Sequence, residues 1–170
     1  WGVYPRVLPR AGSDEELIRN AMAAAKAEGM IQDGERVVIT AGSPLGVPGN
    51  TNFIKVEVAS TILARGMGLG KTAIVGVARV ANSAAEAIAK MQPGDILVAR
   101  ETDKDYVPAM SKASGVIVEA GGLTSHAAIV CLQLNIPLLL EVTGLDKIPD
   151  GEVVTMDASR GLVFKGKVKV

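Results

Sequence analysis

Short aliphatic runs bounded by turn residues set the frame for this chain: Ile96 to Ala99, Val116 to Val118 and Ile136 to Leu140. Each is far too short for a buried helix, is flanked by Gly, Pro or Asp, and is separated from the next by a segment of helical character, so each reads as a buried strand. The spacing predicts strands over 95–99, 115–119 and 136–141, a further strand over 73–80, and a hairpin of 153–156 with 162–164 around Asp157 to Gly161. Ser83-Ala84-Ala85-Glu86 has capping-box spacing and opens a short helix to Met91. Helices are also expected over 103–112 and from about Ser125 to Leu134. The first third repeats the pattern. Ser13-Asp14-Glu15-Glu16 caps a helix in which Leu17, Ile18, Ala21, Met22 and Ala25 recur at helical period before Gly29 stops it. Strands are expected at Gly2 to Pro5, at Arg36 to Thr40 as a buried one, and at Phe53 to Val58, with a Gly- and Pro-rich loop from Ala41 to Asn50. Strands alternating with capped helices make an α/β protein.

Glycines at 66, 68, 70 and 76 interrupt the apolar runs, and the boundary between two domains, 1–63 and 64–170, is expected there. Gly68-Leu69-Gly70-Lys71-Thr72 looks like the end of a phosphate-binding P-loop, but the position of the required first glycine is Arg65 and the residues that follow read as strand, so it is taken as linker or turn. Eighteen Lys and Arg balance eighteen Asp and Glu, and 3% of residues are aromatic, which argues against a nucleic-acid surface. The aliphatic runs fall well short of the roughly 20 residues that span a bilayer, so no membrane partner is expected. The single cysteine, Cys131, forms no internal disulfide, and the expected location is cytoplasmic. Opening on Trp1 rather than Met, the chain is expected to be a piece of a longer protein.

The chemistry concentrates in Glu119-Ala120-Gly121-Gly122-Leu123-Thr124-Ser125-His126, which runs from a strand through a glycine pair into a helix. His126 is the only histidine. A helix start presents unpaired amides and a partial positive charge that suit phosphate or carboxylate. Gly121 and Gly122 allow close backbone approach, and the Thr124 and Ser125 hydroxyls cap the helix or donate to the anion. On residue type alone His126 is either a capping or surface residue, or a nucleophile towards phosphorus. No metal site is expected.

Gly121-Gly122-Leu123-Thr124-Ser125-His126-Ala127-Ala128-Ile129-Val130, with Asn135-Ile136-Pro137, closely resembles the swivelling phosphohistidine domain shared by pyruvate phosphate dikinase, phosphoenolpyruvate synthase and enzyme I of the sugar phosphotransferase system. The resemblance extends through Pro93 to Val98 and Asp150 to Asp157, covering about residues 70–166. It implies a mobile β/β/α domain in which His126 is the phosphoacceptor. Two positions depart from the family pattern: Cys131-Leu132 stand where it commonly has Ala-Arg, and Glu141 where it has glycine. Losing a cation able to pair with phosphate leaves open a reading in which His126 is a relic.

Trp1 to Pro5, the capped helix, Arg36 to Gly42 and Gly49-Asn50-Thr51-Asn52-Phe53-Ile54-Lys55-Val56 look like the last part of the C-terminal α/β domain of pyruvate kinases. This second resemblance covers about residues 1–58. It implies an effector loop with Gly42, Ser43, Gly46, Gly49, Asn50 and Thr51 as candidate residues, a sugar-phosphate or nucleotide effector, and a homo-oligomer. Together the two imply the regulatory or structural C-terminal portion of a bacterial pyruvate kinase, whose whole enzyme moves phosphate from phosphoenolpyruvate to ADP with magnesium and potassium. No cofactor is expected in this chain, which should be inactive by itself. The partner expected at His126 is phosphate or a phosphoenolpyruvate-like anion. The alternatives are a phosphohistidine carrier and a purely structural interaction module.

Overall fold

The computed structural model describes residues 2–43 and 49–168. The chain divides into two compact units, Trp1–Ser60 and Thr61–Val170.

In the first unit, α1 (Asp14–Ala27) starts at Ser13, whose hydroxyl accepts from the Glu16 N–H, while the Glu16 carboxylate takes the Gly12 N–H at 2.7 Å. Both orphan donors are satisfied by the residues that sequence spacing singled out. β1 (Arg36–Ala41) and β2 (Phe53–Val58) pair antiparallel, Arg36 opposite Val58 and Ala41 opposite Phe53. Opposed residues share a face. Val37, Ile39, Ala41 and Phe53 are half-buried on one face, whereas Val38, Ile54 and Val56 on the other are 62–73% exposed. The strand expected to be buried at 36–40 therefore exists but is covered on one side only. Gly2 to Pro5, expected as a strand, has no regular structure.

The second unit is a closed barrel. Its strands are β3 (Ile62–Leu69), β4 (Ala73–Val80), β5 (Ile96–Ala99), β6 (Gly115–Val118), β7 (Leu138–Thr143), β8 (Val153–Asp157) and β9 (Leu162–Lys165). They run in the order β3-β7-β6-β5-β4-β8-β9, with β9 pairing back on β3. β4 to β7 are parallel neighbours, joined by crossovers that carry α2 (Ala84–Lys90), α3 (Val107–Met110) and α4 (His126–Leu134). Alternation along each strand sorts two cores. Ile96, Val98, Ile117 and Leu139 meet Val154, Met156 and Val163 inside the barrel, while Leu97, Val116, Val118, Leu138 and Leu140 pack outward against α2, α3 and α4.

Three expectations are corrected. Gly70-Lys71-Thr72 connect β3 to β4, as expected of a linker or turn, but Gly66, Gly68 and Leu69 before them belong to the barrel strand β3. Its glycines serve close packing: a Cβ on Gly68 would stand 1.7 Å from the Ala158 carbonyl oxygen, and one on Gly66 2.5 Å from that of Leu140. The helix expected over 103–112 splits into a 3-10 turn, Lys104–Tyr106, and the single turn of α3, with Pro108 in its first residues. The strand expected from Ile136 starts after Pro137, at Leu138, and runs on to Thr143.

β7 carries an irregularity that keeps the barrel apolar. Arg65 pairs with Thr143 but Met67 with Leu140, so one extra residue is accommodated on β7. Strict alternation from Leu139 would point Glu141 into the barrel. Instead Glu141 adopts a left-handed backbone, φ +52°, turns to solvent, and lets Val142 take the inward place.

Candidate functional site

The carboxyl ends of β5 and β6 lie side by side, and their outgoing loops stay zipped by the Ala120 N–H donating to the Arg100 carbonyl at 2.8 Å. This end of the parallel strands is where ligands bind in sheets of this kind. The β6 loop carries Gly121 at φ +104°, and a Cβ there would stand 2.8 Å from that of Ser125, so only glycine fits the turn. Gly122 has an ordinary backbone; its carbonyl accepts the Ser125 N–H at 2.9 Å, closing a turn. Ser125 caps α4 through the Ala128 N–H at 3.4 Å, and the helix has no acidic residue in its first turn and no basic one in its last. The turn thus delivers the half-buried His126 as the first residue of α4, with Thr124 exposed beside it.

Sequence reasoning missed Thr102. It comes from the β5 loop, and its Oγ1 lies 3.5 Å from His126 Nδ1. With Nδ1–H donating to that hydroxyl, Nε2 keeps its lone pair on the opposite edge of the ring. The available signal was topological, since Thr102 follows the strand that neighbours β6. Arg100, at the start of the β5 loop, is exposed and held only by a 3.7 Å ion pair with Glu119, a loose surface contact.

Two groups work against an anion. Leu132 is seven residues beyond Ser125 on α4, hence on the same face two turns on, and is 61% exposed. An arginine there would lean towards the helix start, and leucine supplies no charge. The left-handed twist at Glu141 swings its carboxylate back, an oxygen standing 3.8 Å from where a Cβ on Gly122 would be. One residue thus explains both why a glycine suits position 141 and what its replacement brings to the site.

Cys131, on the buried side of α4, is fully sealed, and burial pushes its thiol up to about 12. Among the described residues no three of His, Cys, Asp and Glu form a group that could hold a metal ion. No helix among them is long and apolar enough to cross a membrane.

The second candidate constellation lies between β1 and β2. Asn52 clamps its neck: Ser43 N–H donates to the Asn52 carboxamide oxygen at 2.8 Å, and the Asn52 amide donates to the Ser43 carbonyl at 2.6 Å. Gly42 lies against Asn50, whose carbonyl oxygen would be 1.6 Å from a Cβ there, and Gly49 has φ +81°. Asn50 and Thr51 are exposed. Gly46 lies outside the described residues.

Comparison with known proteins matches residues 1–57 to the pyruvate kinase alpha/beta domain and residues 91–161 to the mobile domain of PEP-utilising enzymes. The chain is 48% identical to a pyruvate kinase of Lactobacillus delbrueckii subsp. bulgaricus over 99% of its length, and 44% identical to one of Geobacillus stearothermophilus over all of it. It is 44% identical to pyruvate kinase 2 of a Synechocystis strain over 98% of its length. It spans 28 to 29% of the length of each of these relatives.

Proposed function

We propose, for a chain that belongs to the C-terminal portion of the bacterial pyruvate kinases, a regulatory and structural role in which the turn before His126 binds phosphate or a phosphoenolpyruvate-like anion. The whole enzyme of such relatives would transfer phosphate from phosphoenolpyruvate to ADP. The observation that carries the reading is the convergence of the α4 amides, the Ser125 cap and Thr102 on the chain's only histidine. The magnesium and potassium of that reaction would belong to parts of such an enzyme outside this chain, and no step here runs through a metal. In the same reading the loop from Gly42 to Thr51 takes a sugar-phosphate or nucleotide effector, the units serve a homo-oligomer, and the location is the cytoplasm.

A phosphocarrier is the second reading, favoured by the Thr102 contact. Nε2 would attack the phosphorus of the donor; the N–P bond forms, the P–O bond of the enol ester breaks, and the departing enolate takes up a proton. Leu132 and Glu141 disfavour it by leaving the incoming charge less compensated. Incubation with labelled phosphoenolpyruvate or ATP separates the two. Acid-labile label that vanishes in His126→Ala establishes a carrier. Phosphate binding without label supports the regulatory reading, and neither binding nor label refutes both.

A further inference from the structure

Thr102, the partner of the histidine, also lines a cavity of about 690 Å³, whose other polar walls are Asn82 and Ser83 on one side and Arg100, Glu101, Asp103, Asp105 and Tyr106 on the other. Tyr106 is the group that marks it. The residue is 93% buried, 7% remaining exposed, and its hydroxyl has no hydrogen-bond partner among the described residues. Among the described residues every fully sealed side-chain nitrogen or oxygen has a partner, so this hydroxyl is not fully sealed, and Tyr106 is a wall of the cavity. A buried tyrosine normally satisfies its O–H within the protein. Burial first, then the charges of Asp103, Glu86 and Glu101, hold this phenol above its ordinary value, so it stays protonated and able to donate.

The rest of the lining says what completes that hydrogen bond. Carboxylates at 101, 103 and 105 only accept, and among the described residues the Glu101 and Asp105 side chains make no hydrogen bond or ion pair. They are not gathered around one point as metal ligands. Three negative charges repel a second anion. The ligand groups that accept from the phenol and donate to carboxylates are hydroxyls. Thr102 is both a wall of the cavity and the partner of His126 Nδ1, so a molecule in the cavity is a neighbour of the turn at 121–126.

We infer that this cavity is a second subsite, holding the hydroxyl-bearing body of a phosphate ester whose phosphate sits at the turn before His126. The inference rests on the reading of that turn as a phosphate site. Arg100, at the junction, is free enough of Glu119 to meet the ester, and the carboxylates orient the molecule with its phosphate away from them.

The test is an amide-resolved magnetic resonance titration of the full chain with inorganic phosphate, sorbitol and sorbitol 6-phosphate. The ester is expected to bind at least about ten-fold more tightly than phosphate, shifting amides of both 124–128 and Ser83, Thr102 and Tyr106. Tyr106→Phe removes only an oxygen without a protein partner, so the fold is kept. It is expected to weaken the ester about five-fold, the worth of one neutral hydrogen bond, and to leave phosphate unchanged. An ester no tighter than phosphate, or equally tight in Tyr106→Phe, overturns the inference while the phosphate site stands. If phosphate moves no amide in 124–128, the reading beneath it fails, whatever sorbitol does in the cavity.

Discussion

The two units solve the same problem, a sheet that must bury a face and hide its edges, with opposite success. In Thr61–Val170 the seven strands close on themselves, leaving no free edge, and are apolar on both sides: one set of side chains fills the barrel and the other lies under three helices. In Trp1–Ser60 two strands offer one face to solvent with Val38, Ile54 and Val56, and on the helix only Ile18 is buried. A two-stranded sheet with one helix does not bury enough to offset the entropy of ordering its chain. Closure, more than hydrophobic content, separates a unit able to stand alone from one that needs covering.

Cutting the chain is the harshest trial of that contrast. Residues 61–170 expressed alone should unfold cooperatively in urea, while 1–60 alone should show no sigmoidal transition by circular dichroism. A cooperative 1–60 would erase the distinction. Point substitutions sharpen it. Leu139→Ala, inside the barrel and fully sealed, should cost about 2–5 kcal/mol. Ile54→Thr, on the open face, should stay within about 0.5 kcal/mol in the same denaturation experiment, and a loss comparable to that of Leu139 would mean the face is covered.

The β8–β9 turn gives an intermediate effect and a pH signature. Burial opposes the charge on Asp157, but the Ser159 hydroxyl and Arg160 outweigh it and hold the carboxyl below its ordinary value. Its contribution is complete above the unfolded carboxyl value near pH 4 and is lost as pH falls through the lower folded value. Asp157→Ala, which strips the acceptor from the Ser159 and Arg160 N–H groups, should cost about 1–3 kcal/mol at pH 7 and less at pH 2, as read from thermal midpoints. A cost independent of pH would exclude the charge as its source.

The effect at Glu141 is small, and its sign is favourable. Glu141→Gly relieves a left-handed backbone and should stabilise the chain by about 1 kcal/mol. Removing the carboxylate near Gly122 should also tighten phosphate binding, measured by calorimetry. Stabilisation without tighter binding would separate the strain from the electrostatics.

Much of this molecule was legible in its sequence because the signals are local. The capping boxes at Ser13 and Ser83, the strands at Arg36, Phe53, Ala73 and Gly115, and the helix opening at His126 stand where period and caps put them. Gly121 was singled out as a turn residue, and its backbone requires glycine. Gly66 and Gly68 misled, since a glycine demanded by a carbonyl of another part of the barrel looks the same in sequence as one demanded by a turn.

Local chemistry by itself therefore determined the capped helices, most of the strands and the glycine turn that opens α4 at His126, because caps, turns and alternation act within a few residues. Tertiary structure decided the rest. That β3 closes the barrel, that Thr102 reaches His126 across 24 positions, and that Glu141 swings towards Gly122 all depend on which strands lie side by side. Strand pairing joins residues far apart in the chain, and no short window of sequence records the partner.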